Sequence, residues 1–343
     1  MKKTLGVIFL MLFLSAAAVS EEIASLEEIA RPSMFLVKKG NIYILEKFRI
    51  YIYDLADFSL KKRFGKAGEG PEEFRYNARQ RRPLSMCIRG DKLVVNSPLK
   101  LTTFDLNGQY LGEEKVKLDR LLFPCNDKYV GIGPSRSGGS PKRYFSYTLH
   151  SGDFTDNKTL YVSDFEAGSP ERIYLPVSSF TYDPVYKDRI FIISDSGNFH
   201  IQVLNPLGEK IYTIRKDYPK IKIPDHFRAE TLDFFKRNPG FKDSYEYFKK
   251  VIRIRDYYPP IRDLQVVDDT LFILTFKRRG DLWECLQLDL KGHEKGRTFI
   301  RLNTYEPFSL YPILYSAYKN HIYTLVEDED DEVWKIHRFP LGE

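Results

Sequence analysis

The sequence predicts an all-β protein, a six-bladed β-propeller with a small helical insertion between blades 4 and 5. Two observations predict this fold: a four-strand unit recurs along the 343 residues, and its second strand is recognisable six times. Repeated units of this kind are typical of propeller blades, and the number of copies sets the number of blades. The six second strands are Asn41–Leu45, Lys92–Val95, Lys128–Ile132, Arg189–Ile193, Thr270–Leu274 and His321–Leu325.

The composition agrees with a strand-rich chain. Hydrophobic residues make up 43% of the sequence and aromatic residues 15%, with 23 Tyr and 25 Phe. Aromatic and β-branched residues favour strands over helices. We expect the aromatic side chains to fill the spaces between blades, and a sugar-stacking surface is the alternative.

Residues 1–20 have the pattern of a secretory signal peptide. Lys2 and Lys3 precede an uncharged apolar run, Leu5–Val19, and small residues lead to a cleavage site near Ser20. The run is short for a membrane span, so we expect no stable membrane insertion after cleavage. The mature chain, 21–343, would then be a periplasmic or extracellular propeller. Without the two lysines its net charge is +4, which does not indicate nucleic acid as a partner.

The blade boundaries follow from the repeats. The six blades are predicted at about Met34–Phe64, Leu84–Val116, Leu121–Val162, Ser179–Arg215, Asp263–Ile300 and from Pro312 to the C-terminus. Blade 6 lacks a fourth strand, which would leave an unpaired edge in the ring. We therefore predict that the N-terminal segment Glu22–Arg31 supplies it.

The turn between third and fourth strands also recurs, with Asp or Asn at its start and Gly three residues later. A glycine there supplies a positive φ, and the Asx side chain bonds to the local backbone. The three copies are Asp105–Gly108, Asn205–Gly208 and Asp289–Gly292.

Residues 216–260 do not fit a blade. The pattern predicts one helix capped by Asp225 and ended at Asn238–Gly240, and a second helix over Ser244–Ile252. Such an insertion between two blades must lie across one face of the ring. Because it is the largest departure from the repeat, it is the best pointer to a binding site.

Two phrases carry a family resemblance. Gly65–Phe74 reads Gly-x-x-Gly-x-Gly-Pro-x-Glu-Phe, and Tyr258–Asp263 enters a blade after the insertion. The chain resembles the six-bladed propellers of bacterial exported proteins of the NHL-repeat and TolB-like type. The resemblance implies an exported propeller; enzymes of the wider class, such as lactonases and amidating lyases, bind a metal through residues that point into the central channel.

The glycines of the first phrase also have a physical interpretation. They allow the backbone to cross sharply from the rim of one blade to the axis of the next, with Pro71 stiffening the crossing. We expect Glu73 to hold this crossing by hydrogen bonds and Phe74 by burial. A phosphate-binding loop is disfavoured because no Lys-Ser/Thr pair follows.

No catalytic set can be assembled from the sequence. The six histidines are never spaced as metal ligands, so no metal site is predicted. Asp183, Asp263 and Asp268 lie in or beside inner strands and could reach the channel, although capping of turns is favoured. The acidic run Glu327–Glu332 could bind calcium weakly, although a solvated loop is favoured. Cys87, Cys125 and Cys285 are expected as buried thiols, with a Cys87–Cys125 disulfide as the alternative.

Basic residues gather on predicted loops of the face that carries the insertion. Arginine side chains suit carboxylate and phosphate ligands, and a neighbouring tyrosine can add stacking; ordinary surface charge is the favoured interpretation of such a rim. The candidate ligand-binding residues are Arg82, Arg143, Arg262, Arg278 and Tyr258.

The leading hypothesis is a non-enzymatic binding or scaffolding protein that holds a peptide, a glycan or a small anionic ligand, or an envelope protein. It needs no cofactor. The alternative is a metal-dependent propeller lyase or lactonase, which needs at least three ligands converging on the axis.

Overall fold

The computed structural model contains six four-stranded antiparallel sheets, which form a six-bladed β-propeller. It describes residues 21–75, 84–118, 120–136, 143–168, 173–175, 181–194, 197–239, 241–303 and 312–341. The predicted signal peptide, 1–20, lies outside the described residues. All six predicted second strands are present, and each blade follows the chain from its innermost to its outermost strand, except where the ring closes.

The strands of each blade succeed one another from the axis outward. Blade 1 comprises Pro32–Lys38, Asn41–Glu46, Arg49–Asp54 and Leu60–Phe64. Blade 2 comprises Ser85–Arg89, Lys92–Ser97, Lys100–Asp105 and Tyr110–Lys115. Blade 3 comprises Leu121–Cys125, Lys128–Arg136, Arg143–Ser151 and Asn157–Gly168. Blade 4 comprises Val185–Tyr186, Arg189–Ile193, Phe199–Leu204 and Lys210–Lys216. Blade 5 comprises Asp263–Val267, Thr270–Arg279, Leu282–Asp289 and Glu294–Arg301. Blade 6 comprises Tyr315–Tyr318, His321–Asp328, Val333–Pro340 and, from the N-terminus, Glu21–Leu26.

The ring closes as the sequence predicts, because the N-terminal strand Glu21–Leu26 is the outer strand of blade 6. It pairs antiparallel with Val333–Pro340. The strand ends at Leu26, short of the predicted Arg31, and the chain then turns in toward blade 1. Leu26 and Ile29 are both 2% exposed and join the apolar cluster between blades 6 and 1. This burial fixes the junction of the two chain ends.

The repeated turn has the predicted geometry in all three copies. Gly108, Gly208 and Gly292 have φ values of 76°, 70° and 95°, which L-residues with a side chain rarely adopt. The Asp105 carboxylate accepts hydrogen bonds from the backbone N–H groups of residues 107 and 109, at 2.9 and 2.7 Å. Asn205 and Asp289 accept the equivalent bonds in blades 4 and 5.

The glycine-rich crossing after blade 1 is a structural turn, as expected. Its two ends pair as short parallel strands, Lys66–Ala67 and Glu73–Phe74. The Glu73 carboxylate accepts a 2.8 Å hydrogen bond from the Gly70 N–H, and Phe74 is fully buried. A fully buried lysine from blade 2, Lys100, donates from Nζ to the Gly70 carbonyl at 2.9 Å.

Side chains join the inner strands of neighbouring blades. The Ser316 hydroxyl accepts a 2.9 Å hydrogen bond from the Val37 N–H, which connects blades 6 and 1. Gln265 Nε2 donates to the Tyr315 carbonyl at 2.9 Å and connects blades 5 and 6. Since an inner strand has no strand partner on its axial side, such bonds satisfy backbone groups that would otherwise lack one.

The insertion contains two short α-helices, as predicted, with different ends. Helix α1 is Phe227–Arg237 and helix α2 is Tyr245–Val251, joined through the 3₁₀ turn Lys242–Ser244. The prediction that Asp225 caps the first helix is wrong, because the helix begins after His226. The second helix stops before Ile252, where the chain becomes extended and pairs in parallel with Ile173–Leu175.

The insertion has a small apolar core of its own. Phe235, Val251 and Ile252 are buried together with Leu175, which comes from the crossing between blades 3 and 4. The rings of Phe235 and Phe248 stack with centroids 4.5 Å apart. The helices are therefore anchored against the neighbouring crossing as well as at the start of blade 5.

Candidate functional site

The candidate site lies where the insertion returns to blade 5. The chain leaves blade 4 at Lys216 and re-enters the ring at Asp263. Near the return, the Tyr258 N–H donates to the Ile221 carbonyl at 2.9 Å, so the two ends of the insertion run side by side. The turn between the second and third strands of blade 5 opens on the same face, since strands alternate in direction.

Two predicted arginines meet over one tryptophan. The guanidinium carbons of Arg262 and Arg278 lie 4.0 and 4.2 Å from the ring centroid of Trp283. Arg278 and Trp283 face each other across the second and third strands of blade 5, directly after a β-bulge. The bulge re-aims the strand end and places Arg278 over the indole. Trp283 is 4% exposed, so its faces are covered, whereas Arg278 is exposed.

Tyr258 completes this cluster through Phe276. The two rings stack with centroids 4.4 Å apart and an interplanar angle of 11°. Phe276 in turn meets Trp283 edge-on at 6.2 Å. Burial raises the pKa of the Tyr258 phenol, and the nearby charges of Arg278 and Arg262 offset part of that rise. The phenol therefore stays neutral and can act as a hydrogen-bond donor or acceptor.

The arginines are held in a geometry suited to anions. A guanidinium that stacks flat on a ring keeps its N–H donors in its own plane, where they can meet a carboxylate or phosphate. Arg279 adds a third stack, 4.3 Å from the centroid of Phe299. Within the described part of the chain, Arg278 and Arg279 have no carboxylate at ion-pair distance.

A buried glutamate next to Trp283 stabilises the cluster. Glu284, next to Trp283, is fully buried and accepts hydrogen bonds from Tyr218 at 2.6 Å and Thr275 at 3.0 Å. Its other oxygen lies 2.9 Å from Arg297 Nη1 and 3.3 Å from Lys277 Nζ. Lys277 is therefore engaged in an internal ion pair. This network fixes the strand that carries Trp283.

The other two predicted arginines cannot be added to this cluster. Arg82 lies outside the described residues. Arg143 is the first residue of the third strand of blade 3, paired with Arg136, so it belongs to a strand rather than to a loop. The second strand of that blade extends to Arg136, and residues 137–142 lie outside the described residues.

The channel contains an ion pair between blades 2 and 4. Arg89 donates from Nη1 to the Asp183 carboxylate at 2.9 Å and from Nε to the Pro124 carbonyl at 3.1 Å. Burial alone would lower the pKa of Arg89, but the Asp183 carboxylate outweighs it and the pKa is raised. Asp183 is thus engaged in holding the ring. Cys87 and Cys125 lie close to this pair as free, buried thiols, and Cys285 is also free and buried.

Asp263 is the buried carboxyl group of the blade 5 inner strand. Burial raises its pKa to about 6, although the Tyr315 hydroxyl and the charge of Arg262 act in the opposite direction. Asp268, by contrast, lies exposed in a turn with a φ of 47°. Among the described residues, no group of three or more His, Cys, Asp and Glu side chains is placed to hold a metal ion.

The acidic run of blade 6 surrounds a lysine. Lys335 Nζ lies 2.7 Å from the Asp328 carboxylate and 3.1 Å from that of Asp331. Hydrogen bonds to Asp328 and Asp331 raise the pKa of Lys335. Lys335 lies in the following strand, only four residues after Asp331. No sequence pattern distinguishes it as the partner of the acidic run.

Sequence reasoning found three members of the cluster and missed the aromatic residues between them. Trp283 and Phe276 read as ordinary strand residues, since aromatic side chains are common in blades. The sequence did contain one indication of the cluster. Arg278 and Trp283 lie on either side of a tight turn, and a hairpin at that turn places them opposite each other.

The likeness of this chain to known proteins is one of structure. No protein-family model and no curated relative matches the chain. Among solved structures, the β-propeller domain of Myceliophteria thermophila Cps50 (Swd1) is similar with a TM-score of 0.42 and 9% identity, over 93% of this chain and 99% of that chain. Kluyvelomyces marxianus Hsv2 gives 0.32 and 10%, over 90% and 84%.

These likenesses are too weak to carry an argument, so the class of this protein, a six-bladed β-propeller, rests on its own strand pairing. The resemblance to the bacterial NHL-repeat type remains a prediction. In the part of the chain that the structure covers, no helix is long and apolar enough to cross a membrane.

Proposed function

We propose that this chain is an exported, non-enzymatic β-propeller that binds an anionic ligand on the face carrying the insertion. The observation that carries the proposal is the pair of arginines stacked on Trp283, with Arg278 exposed beside the Tyr258–Phe276 stack. Charge-assisted bonds from pre-positioned guanidinium groups are stronger than those from mobile surface lysines. A peptide, a glycan or a small molecule that presents carboxylates or phosphates fits this chemistry.

The distribution of charge supports the same face. The insertion, 216–260, holds eleven Lys and Arg against seven Asp and Glu, an excess of four. The chain from residue 21 onward also has an excess of four. The propeller without its insertion is therefore neutral overall, and the attraction for anions is concentrated beside the cluster.

The test is a charge reversal at the exposed arginine. Binding of tripolyphosphate and of poly-glutamate is followed by the fluorescence of Trp283, in a background where Trp334 is replaced by Phe. We expect Arg278→Glu to weaken binding by about tenfold or more, because it removes one attraction and adds one repulsion.

The matched control is Lys319→Glu. It reverses an exposed charge in the turn between the first and second strands of blade 6, on the face of the ring away from the insertion. Equal effects of Arg278→Glu and Lys319→Glu would mean that only net charge matters and would remove the site.

The enzymatic alternative is tested separately: tightly held, stoichiometric calcium or zinc in the purified protein would favour a metal-dependent lyase or lactonase.

A further inference from the structure

One segment, extended on either side of a bend at Asp256, leads from the insertion into the cluster. Residues 252–258, which we call the ribbon, follow helix α2. Its first half pairs in parallel with Ile173–Leu175, and the Arg255 N–H donates to the Leu175 carbonyl at 2.9 Å. Its second half runs beside the start of the insertion, where the Ile223 N–H donates to the Asp256 carbonyl at 2.9 Å. The ribbon is thus held on both sides by backbone hydrogen bonds.

The side chains of the ribbon alternate in character. Ile252 is buried and Ile254 and Tyr258 are half-buried, so these three even positions face the protein, whereas Asp256, at a bend, is exposed. The odd positions are Arg253, Arg255 and Tyr257, of which Arg253 and Tyr257 are exposed. In an extended chain every second side chain lies on the same face, about 6.7 Å from the last. Before the bend, the outer face of the ribbon therefore presents the exposed Arg253 and the half-buried Arg255 at this spacing; beyond the bend, Tyr257 is exposed beside Lys220.

Aromatic and backbone contacts position these cations. The Arg255 guanidinium lies over the ring of Tyr174, 5.8 Å from its centroid. Lys220 Nζ lies over the exposed ring of Tyr257 at 5.7 Å. Arg253 Nη1 donates to the carbonyls of Lys250 and Ile252, at 2.8 and 2.9 Å. As with the arginines over Trp283, the charges are held at defined places rather than on freely moving side chains.

We infer that the ribbon extends the proposed site into a track for an extended acidic peptide whose carboxylates occur at alternate positions. The inference rests on the proposed function, because the ribbon leads into Arg262 and the Trp283 cluster. An extended peptide repeats every two residues at the spacing of Arg253 and Arg255, so two alternate acids match these arginines in register, and Lys220 adds a positive charge beyond the bend. Tyr257, past the bend and beneath Lys220, offers an exposed ring for an apolar contact with the peptide.

The experiment compares two peptides of the same composition and charge. One is (Glu-Thr)₅, with alternate acids, and the other is Glu₅-Thr₅, with its acids in one block. Each is titrated into the wild-type protein, into Arg253→Gln/Arg255→Gln, and into the control Lys92→Gln/Lys319→Gln. The control removes two exposed charges on the opposite face, one at the start of the second strand of blade 2 and one in the first turn of blade 6. An oligogalacturonate of equal charge is the glycan probe.

We expect the wild-type protein to bind the alternating peptide about tenfold more tightly than the block peptide, and the ribbon variant to lose that preference. The control variant should keep it. Equal affinity for both peptides, or tighter binding of oligogalacturonate, would overturn the peptide track while leaving the anion site intact. If Arg278→Glu also changes nothing, the proposed function fails as well, so the two failures are distinguishable.

Discussion

His150 is a buried histidine that cannot take up a proton without cost. It lies in the third strand of blade 3, 4% exposed, and its ring fits against the backbone of Gly131. In the described part of the chain Nε2 has no hydrogen-bond partner. Burial, with a smaller contribution from the charge of Arg120, lowers its pKa from 6.5 to about 4. The imidazole is therefore neutral in the folded protein at pH 7.

This shift predicts acid sensitivity. Between pH 6.5 and 4 the unfolded chain binds a proton at this position and the folded chain does not, so stability falls as the pH falls. The difference amounts to about 3 kcal/mol. We expect His150→Gln to remove this part of the pH dependence, measured as the free energy of unfolding in urea at pH 7, 5.5 and 4.

The comparison uses the difference between two curves, because other groups titrate in the same range. The pKa of Asp263 is raised to about 6, so ionisation of this carboxyl group destabilises the fold as the pH rises, and this effect is common to both proteins. The exposed His226, replaced by Gln, is the control. If the His150→Gln and wild-type curves run parallel from pH 7 to 4, the burial argument is wrong.

At the residue scale, the sequence predicts what local chemistry determines. Asp105 and Gly108 determine the geometry of the turn that contains them. The positive charge of Arg278 is likewise known from the sequence, whatever its position in the fold. Lys100 shows the limit: it reads as an ordinary surface lysine, yet it is buried, bound to Gly70 and 2.7 Å from the Glu113 carboxylate. Its burial depends on a crossing thirty residues away, which no local pattern encodes.

At the scale of elements, the closing strand is the clearest case in which counting strands predicts a long-range contact. Blade 6 has only three strands in the C-terminal part of the sequence, and the N-terminal segment belongs to no other blade. The pairing of Glu21–Leu26 with Val333–Pro340 therefore follows. The parallel pairing of Ile252–Ile254 with Ile173–Leu175 is not predictable in this way. Neither segment is required by the repeat, and helical spacing assigns Ile252 to a helix.

Removal of the closing strand should destabilise the ring. A variant that begins at Pro32 loses the strand and the burial of Leu26 and Ile29, and it also loses the 3.1 Å hydrogen bond from Trp334 Nε1 to the Ala30 carbonyl. Burial of two such side chains contributes about 3–6 kcal/mol. We expect the free energy of unfolding in urea to fall by about that amount relative to a chain that begins at Glu21.

The matched control keeps the strand and removes its charges. Glu21→Gln/Glu22→Gln breaks the ion pairs with Arg338 and Lys335 but retains the backbone ladder. These pairs are exposed, so their loss should cost less than about 1 kcal/mol. Equal stability of the Pro32 variant and the full chain would show that the ring does not depend on this closure.

At the scale of the whole molecule, the protein combines a repetitive ring with one irregular addition. The ring is held by apolar clusters between blades and by inner-strand contacts, and these account for most of its buried residues. The insertion has a separate small core, to which Leu175 contributes from outside the segment. This division explains why the repeats in the sequence predict the architecture and leave the ligand undetermined, since the distinctive chemistry lies where the repeat stops.

The division predicts that the insertion can be removed without loss of the ring. Ile221 and Tyr258 are joined by a 2.9 Å backbone hydrogen bond, so a two-residue Asn-Gly turn can replace residues 222–257. Leu175 loses its apolar cover and is changed to Gln in the same variant. We expect the far-UV circular dichroism of a β protein and a single cooperative unfolding transition to persist.

Affinity for (Glu-Thr)₅ should fall about tenfold or more, whereas tripolyphosphate binding at Arg278 should remain. Arg278→Gln in the full chain is the reciprocal control, since it should weaken tripolyphosphate binding with the ribbon still present. An excised protein that fails to fold, or one that binds the alternating peptide as well as the full chain does, would contradict this division of the molecule into a ring and a recognition element.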